Sequence, residues 1–154
     1  MKTTHALLLL AASLAFTACS RPPAAEAEAF DLVGAMGDLQ RWTDKLGRAA
    51  EVGNWPLADF YLHEIEETTK ALVAAGIVYH DQPVSQLTGA MLEPAVHVLE
   101  NAVKARDAEL FRRDYATFVQ TCNACHAATD FAFIRITAPD VAVNPWNQDF
   151  RPAP

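Results

Sequence analysis

Residues 107–129 read DAELFRRDYATFVQTCNACHAAT. Within them Phe111, Tyr115, Phe118, Cys122, Cys125 and Thr129 follow one another at alternating steps of four and three. An α-helix turns once every 3.6 residues, so this spacing keeps those side chains on one continuous face. Asp107 is a suitable N-cap, since its carboxylate can accept from the free amides of the first turn. The stretch predicts a helix running from Asp107 to about Ile136, with its seam turned toward a core.

The same pattern recurs upstream. A first segment, from about Phe30 to Val52, carries Leu32, Met36, Leu39, Trp42, Leu46 and Ala49 on one face. Gly53 can close it in a left-handed conformation, and Asn54 can open the next helix with Pro56 in its first turn. The second segment runs to Ala75 on Ala58, Leu62, Ile65, Thr69 and Leu72, and Gly76 stops it. After the loop IVYHDQPVS (residues 77–85), a third segment spans about Gln86 to Ala105 on Leu87, Met91, Ala95, Val98 and Ala102. Pro94 has no N–H for the Ala90 carbonyl, which predicts a kink there or a helix that starts properly only near Glu93. No stretch shows the two-residue alternation of a strand. Short connections between four such segments predict an all-α fold, an antiparallel up-down-up-down four-helix bundle over residues 30–137. Residues 138–154 form a proline-punctuated tail, whose Val141, Val143, Trp146 and Phe150 are expected to pack back on the bundle.

The N-terminus has a different character. Lys2 precedes an apolar run from Ala6 to Phe16, too short for a spanning helix and shaped like a signal-peptide core. It ends in Phe16-Thr17-Ala18-Cys19, which resembles a bacterial lipobox with Phe16 at the place where Leu is usual. That resemblance implies a lipoprotein signal peptide over residues 1–18, with Cys19 as the lipidated first residue of the mature chain. The alternative is a cysteine lost with a cleaved leader. Ser20, rather than Asp, after the lipidated position implies sorting to the outer membrane. Residues 19–29, including SRPPAAEAEA, lack large apolar side chains and read as a tether. Export to the periplasm also suits the cysteine inventory, since only Cys122 and Cys125 then remain and no disulfide framework is possible. Loss of Lys2 with the leader takes the net charge from −7 to −8. An acidic chain of this kind is a poor partner for nucleic acid.

Cys122, Cys125 and His126 stand at i, i+3 and i+4, so one helix face presents all three. C-x-x-C-H is the attachment sequence of c-type haem, with two thioether bonds from the cysteines and an axial iron ligand from the histidine. A zinc knuckle would need a second ligand pair, and none occurs at a suitable spacing. A thioredoxin-like dithiol needs a β-α-β setting that is absent. A local disulfide would leave His126 unexplained. Haem c, one and covalent, is the expected cofactor.

Placement of CNACH on the last helix of a four-helix bundle resembles the cytochrome c′ class and its low-spin relatives. The likeness covers residues 30–137 by layout, with CNACH as its specific motif. The segments NWPLADFYLHEIEE, CHAATDFAFIRI and NQDF also resemble an uncharacterised group of exported monohaem proteins. The long tail departs from simple members of the class. In low-spin relatives a methionine of the first helix is the sixth iron ligand, which implies that role for Met36.

Depth matching from the shared bundle ends agrees with it: His126 lies level with Val33, so Leu32 and Met36 are near the iron and Met91 is about two turns away. His63 falls roughly 15 Å off along the axis. An open iron capped by Leu32 and Leu39 stays an equal alternative, with Met91, His63 and His97 behind it. The expected activity is one-electron transfer between redox partner proteins at the periplasmic side of a membrane, not enzymatic turnover. The alternative is a five-coordinate haem protein that binds NO or CO as sensor or scavenger.

Overall fold

The structure, a computed structural model, describes residues 29–153. The expected leader, the lipidation site Cys19 and the tether up to residue 28 lie outside the described residues. Within them the chain forms α1 (Leu32–Glu51), α2 (Trp55–Ala74), α3 (Val84–Leu87), a π-helical segment (Thr88–Leu92), α4 (Glu93–Ala105) and α5 (Ala108–Ala128). The short α3, the π segment and α4 follow one another without a break, so the chain builds four helical rods. Among the described residues there is no strand, only an isolated bridge between Tyr79 and Gln82. The all-α expectation holds at this level.

Caps account for where each helix begins. Asp31 Oδ1 accepts from the Gly34 amide at 2.9 Å, and Asn54 accepts from the Leu57 amide at 3.3 Å. Asp107 Oδ1 accepts from both Glu109 and Leu110 at 3.0 Å. Each satisfies amides that have no partner inside the helix. Gly53 (φ 73°) and Gly76 (φ 63°) take the left-handed conformation after α1 and α2.

One boundary matches expectation, since α4 starts at Glu93, and one differs. Pro94 sits in the first turn of α4, and the turn before it widens so that the Glu93 amide reaches the Thr88 carbonyl. The missing N–H falls in the first turn of α4, directly after a π turn. The correction concerns α5, which ends at Ala128 instead of continuing to Ile136. Thr129 turns its hydroxyl onto the Cys125 carbonyl at 3.0 Å, Asp130 adopts φ 66°, and the Phe131 amide closes on the His126 carbonyl at 2.7 Å. This six-to-one closure is a Schellman-type stop.

Leu46, Leu62, Ile65, Leu72, Leu99 and Phe118 are fully buried at the centre. The helix α1 packs along α2, α2 along α4, and α4 along α5, whereas α1 and α5 meet only sparsely. Where they do meet, Tyr115 donates to the Thr43 carbonyl at 2.8 Å. Gly47 makes that approach possible: a Cβ there would lie 2.8 Å from the Tyr115 oxygen and 2.9 Å from Pro139 Cγ.

Beyond α5 the tail is non-helical, and it meets α1 through Arg48. This buried guanidinium donates to the carbonyls of Asp140 (3.1 Å) and Val143 (2.7 Å) and pairs with Asp44 at 2.6 Å. Trp146 donates to the same Asp44 carboxylate at 2.7 Å, and Phe150 is buried in the core. Val141 and Val143, expected to pack inward, are exposed instead. Here backbone carbonyls to Arg48, not valine side chains, do the anchoring.

Candidate functional site

The sparse contact between α1 and α5 leaves a narrow cleft of about 50 Å³ beside the C-terminal half of α5. Cys122, Cys125 and His126 line it from α5, together with Phe118. Met36 and Leu39 face it from α1, with Gln40 and Thr43 beside them, and Thr88 and Leu92 come from the π segment. Ile136 closes one wall. The π turn therefore has a consequence at the site: its buried residues are the ones that line the cleft. Such widened turns are common at functional sites.

Cys122 and Cys125 are half-buried, and no disulfide joins them. Burial pushes the Cys122 thiol up to about 12, with the neighbouring Cys125 adding to the effect, and burial raises Cys125 as well. A reactive or thiolate-liganding cysteine needs the opposite shift. The environment disfavours charge on sulfur and tolerates a neutral sulfur, either a thiol or a thioether.

His126 has a fixed tautomer. Its Nδ1 lies 3.0 Å from the Ile134 carbonyl, and a carbonyl can only accept, so Nδ1 carries the proton. The Nε2 lone pair is thereby left available to a metal, in the arrangement that orients ligating histidines. The carbonyl is delivered by residues 131–136, which fold back over the end of α5. Asn123, inside the C-x-x-C-H spacer, holds that segment twice. Its Oδ1 accepts from the Ile136 amide at 2.7 Å, and its Nδ2 donates to the Ile136 carbonyl at 2.9 Å.

Of the sixth-ligand candidates only Met36 faces the cleft. Leu32 does not line it, and Met91, although in the π segment, is half-buried elsewhere. His63 is exposed on α2, and His97 is exposed on α4, 3.7 Å from Glu100. His80 is exposed in the loop after α2, its ring against Tyr79 and Phe131. Among the described residues Glu66, His97 and Glu100 bring potential metal-ligating atoms within 4.8 Å of one another, but Glu100 is already paired with Lys104.

The donor set fits a covalently held haem. Two neutral sulfurs and an imidazole with a free Nε2 share one apolar wall, and a thioether faces them from α1. Room is tighter than donors, since the cleft measures only about 50 Å³. A large planar group would need the lining side chains to move, and Met36, half-buried and unbranched, is one that could. The 510 Å³ hollow at the tail, bordered by Arg48, Trp146 and Asp149, carries none of these donors.

No family model, curated protein or solved structure matches the chain. Sequence reasoning had missed Asn123, Ile134 and Ile136. A helix drawn through Ile136 hid all three roles. The signal that could have revealed them is Thr129-Asp130, a pair suited to a left-handed stop, directly after the seam ends.

Proposed function

We propose that the chain is a monohaem c-type cytochrome that carries single electrons. What supports the reading most is the convergence of Cys122, Cys125, His126 and Met36 on one apolar cleft. Cys122 and Cys125 would hold haem c by thioether bonds, and His126 Nε2 would be the proximal iron ligand. The haem supplies the one-electron couple, and the protein sets its potential through ligands, burial and nearby hydrogen bonds. Ile134 fixes the imidazole, Phe118 and Leu92 exclude water, and Met36 offers a soft thioether from the facing helix.

The finer architecture belongs to the same proposal: an antiparallel bundle of the cytochrome c′ type, tethered through lipidated Cys19 at the periplasmic side of an outer membrane. Its partners would be redox proteins. Potentiometric titration of the haem-loaded chain tests the function. A single one-electron Nernst curve, fully reversible, is expected. A chain that bound haem but could not be cycled between oxidation states would contradict a carrier.

A further inference from the structure

The C-x-x-C-H pattern assigns no role to the residues between its cysteines, yet Asn123 makes two of the few hydrogen bonds that hold residues 131–136. That segment has no helical ladder of its own. Apart from the closure of Phe131 on His126, its backbone bonds are a turn from Ile134 to the Phe131 carbonyl at 2.8 Å and the pair to Asn123. Phe133 and Ile134 are exposed, so burial of their side chains adds little. Yet Ile134 supplies the carbonyl that fixes the His126 tautomer, and Ile136 supplies a wall of the cleft.

We infer that Asn123 is the positioning residue of the site: its carboxamide pins Ile136, and through the pinned strap sets both the Ile134 carbonyl against His126 and the Ile136 side chain against the cleft. The geometry favours this over a bland surface amide. Both polar atoms of Asn123 are used, both on one residue, and the bond to His126 lies two residues upstream of that anchor. An amide in this place reads as a two-pronged clamp, because a backbone N–H and C=O from one residue match the acceptor and donor of a carboxamide.

The role rests on the haem reading only for its effect on iron. A hydrogen bond from Nδ1 to a carbonyl makes the imidazole a stronger donor, and such partners are worth about 10–100-fold in metal affinity. A stronger donor favours the ferric state. If loosening the strap weakens ferric over ferrous binding by about tenfold, the midpoint potential rises by about 59 mV.

The test compares the full chain, produced in cells that assemble c-type cytochromes, with Asn123→Ala and with Phe133→Ala as a control on the same strap. In the parent, the Ile136 amide should exchange roughly 100-fold more slowly than an unstructured amide, although it lies outside any helix. Nitrogen NMR should find the His126 proton on Nδ1. In Asn123→Ala the protection should fall at least tenfold and the potential should rise, while Phe133→Ala leaves both unchanged. Rapid Ile136 exchange in the parent would overturn the proposal even if Asn123→Ala could not be made. So would an Asn123→Ala protein with unaltered potential and unaltered tautomer. Retention of haem on a denaturing gel is scored separately. If haem is absent, the cytochrome reading fails, and the amide and tautomer measurements on the haem-free chain still decide the clamp.

Discussion

Met36 on α1 and His126 on α5 line the same cleft, between two helices that meet only sparsely. The gap between them is apolar, with a soft donor on one side and an imidazole on the other. In the proposed cytochrome that relationship sets the iron's coordination. Met36→Ala should convert a six-coordinate low-spin spectrum to a high-spin one and open the ferrous protein to CO. A parent protein that is already high-spin and takes up CO would assign it to gas binding, with Met36 as packing.

The thiols give a pH prediction for the haem-free chain. Burial holds the Cys122 thiol at about 12, above its ordinary value of 9.0. Below pH 9 both folded and unfolded chains keep the proton, and this group does not affect stability. Between pH 9 and 12 the unfolded chain releases its proton first, so stability falls as pH rises through that window. Buried Tyr115, also raised by desolvation from its ordinary 10.0, adds to the loss from about pH 10 upward. Denaturant midpoints measured from pH 7 to 11 should decline more steeply for the parent than for Cys122→Ala. Alkylation at pH 8 should be slow at Cys122 and faster at Cys125.

Much of this was legible beforehand, and the reasons differ by residue. The seam through Phe111, Tyr115 and Phe118 was readable because apolar periodicity reports burial directly, and those three side chains are buried. The caps at Asn54 and Asp107 were readable because their chemistry is local. The end of α5 was not. Ile134 and Ile136 continue an apolar pattern, and the stop depends on Thr129 and Asp130 outweighing it. In the tail, Trp146 and Phe150 pack as expected, and only the two valines were misread. Val141 and Val143 looked like the anchors, yet the chain is held through their backbone neighbourhood by Arg48, a long-range match that no window of sequence contains.

Arg48 yields a stability prediction. Its guanidinium is buried, paired with Asp44 and committed to two tail carbonyls. Arg48→Met would strand those acceptors and should cost about 3 kcal/mol, the range for breaking a buried pair. The tail should also detach. Limited proteolysis should cut between residues 137 and 147 much faster in the variant, with the helical circular dichroism signal retained below the melting transition.

Gly47 tests the close approach of α1 and α5. A methyl group there collides with the Tyr115 hydroxyl and the Pro139 ring, both in confined positions. Gly47→Ala should therefore destabilise the chain by about 1–3 kcal/mol despite the higher helix propensity of alanine. Thermal unfolding followed at 222 nm measures it. Gly37, whose added Cβ would meet nothing within 4 Å, supplies the matched control. Gly37→Ala should be neutral or stabilising by up to about 1 kcal/mol.

Covalent attachment of haem is the claim on which the functional account depends, and one measurement addresses it directly. The full chain, expressed with c-type haem assembly, is extracted with acidified acetone, run on a denaturing gel and stained for haem peroxidase activity, alongside Cys122→Ala/Cys125→Ala. The account predicts a haem-stained band at the chain's mass for the parent and none for the double variant. A parent band without haem, or a double variant that keeps it, would contradict the account.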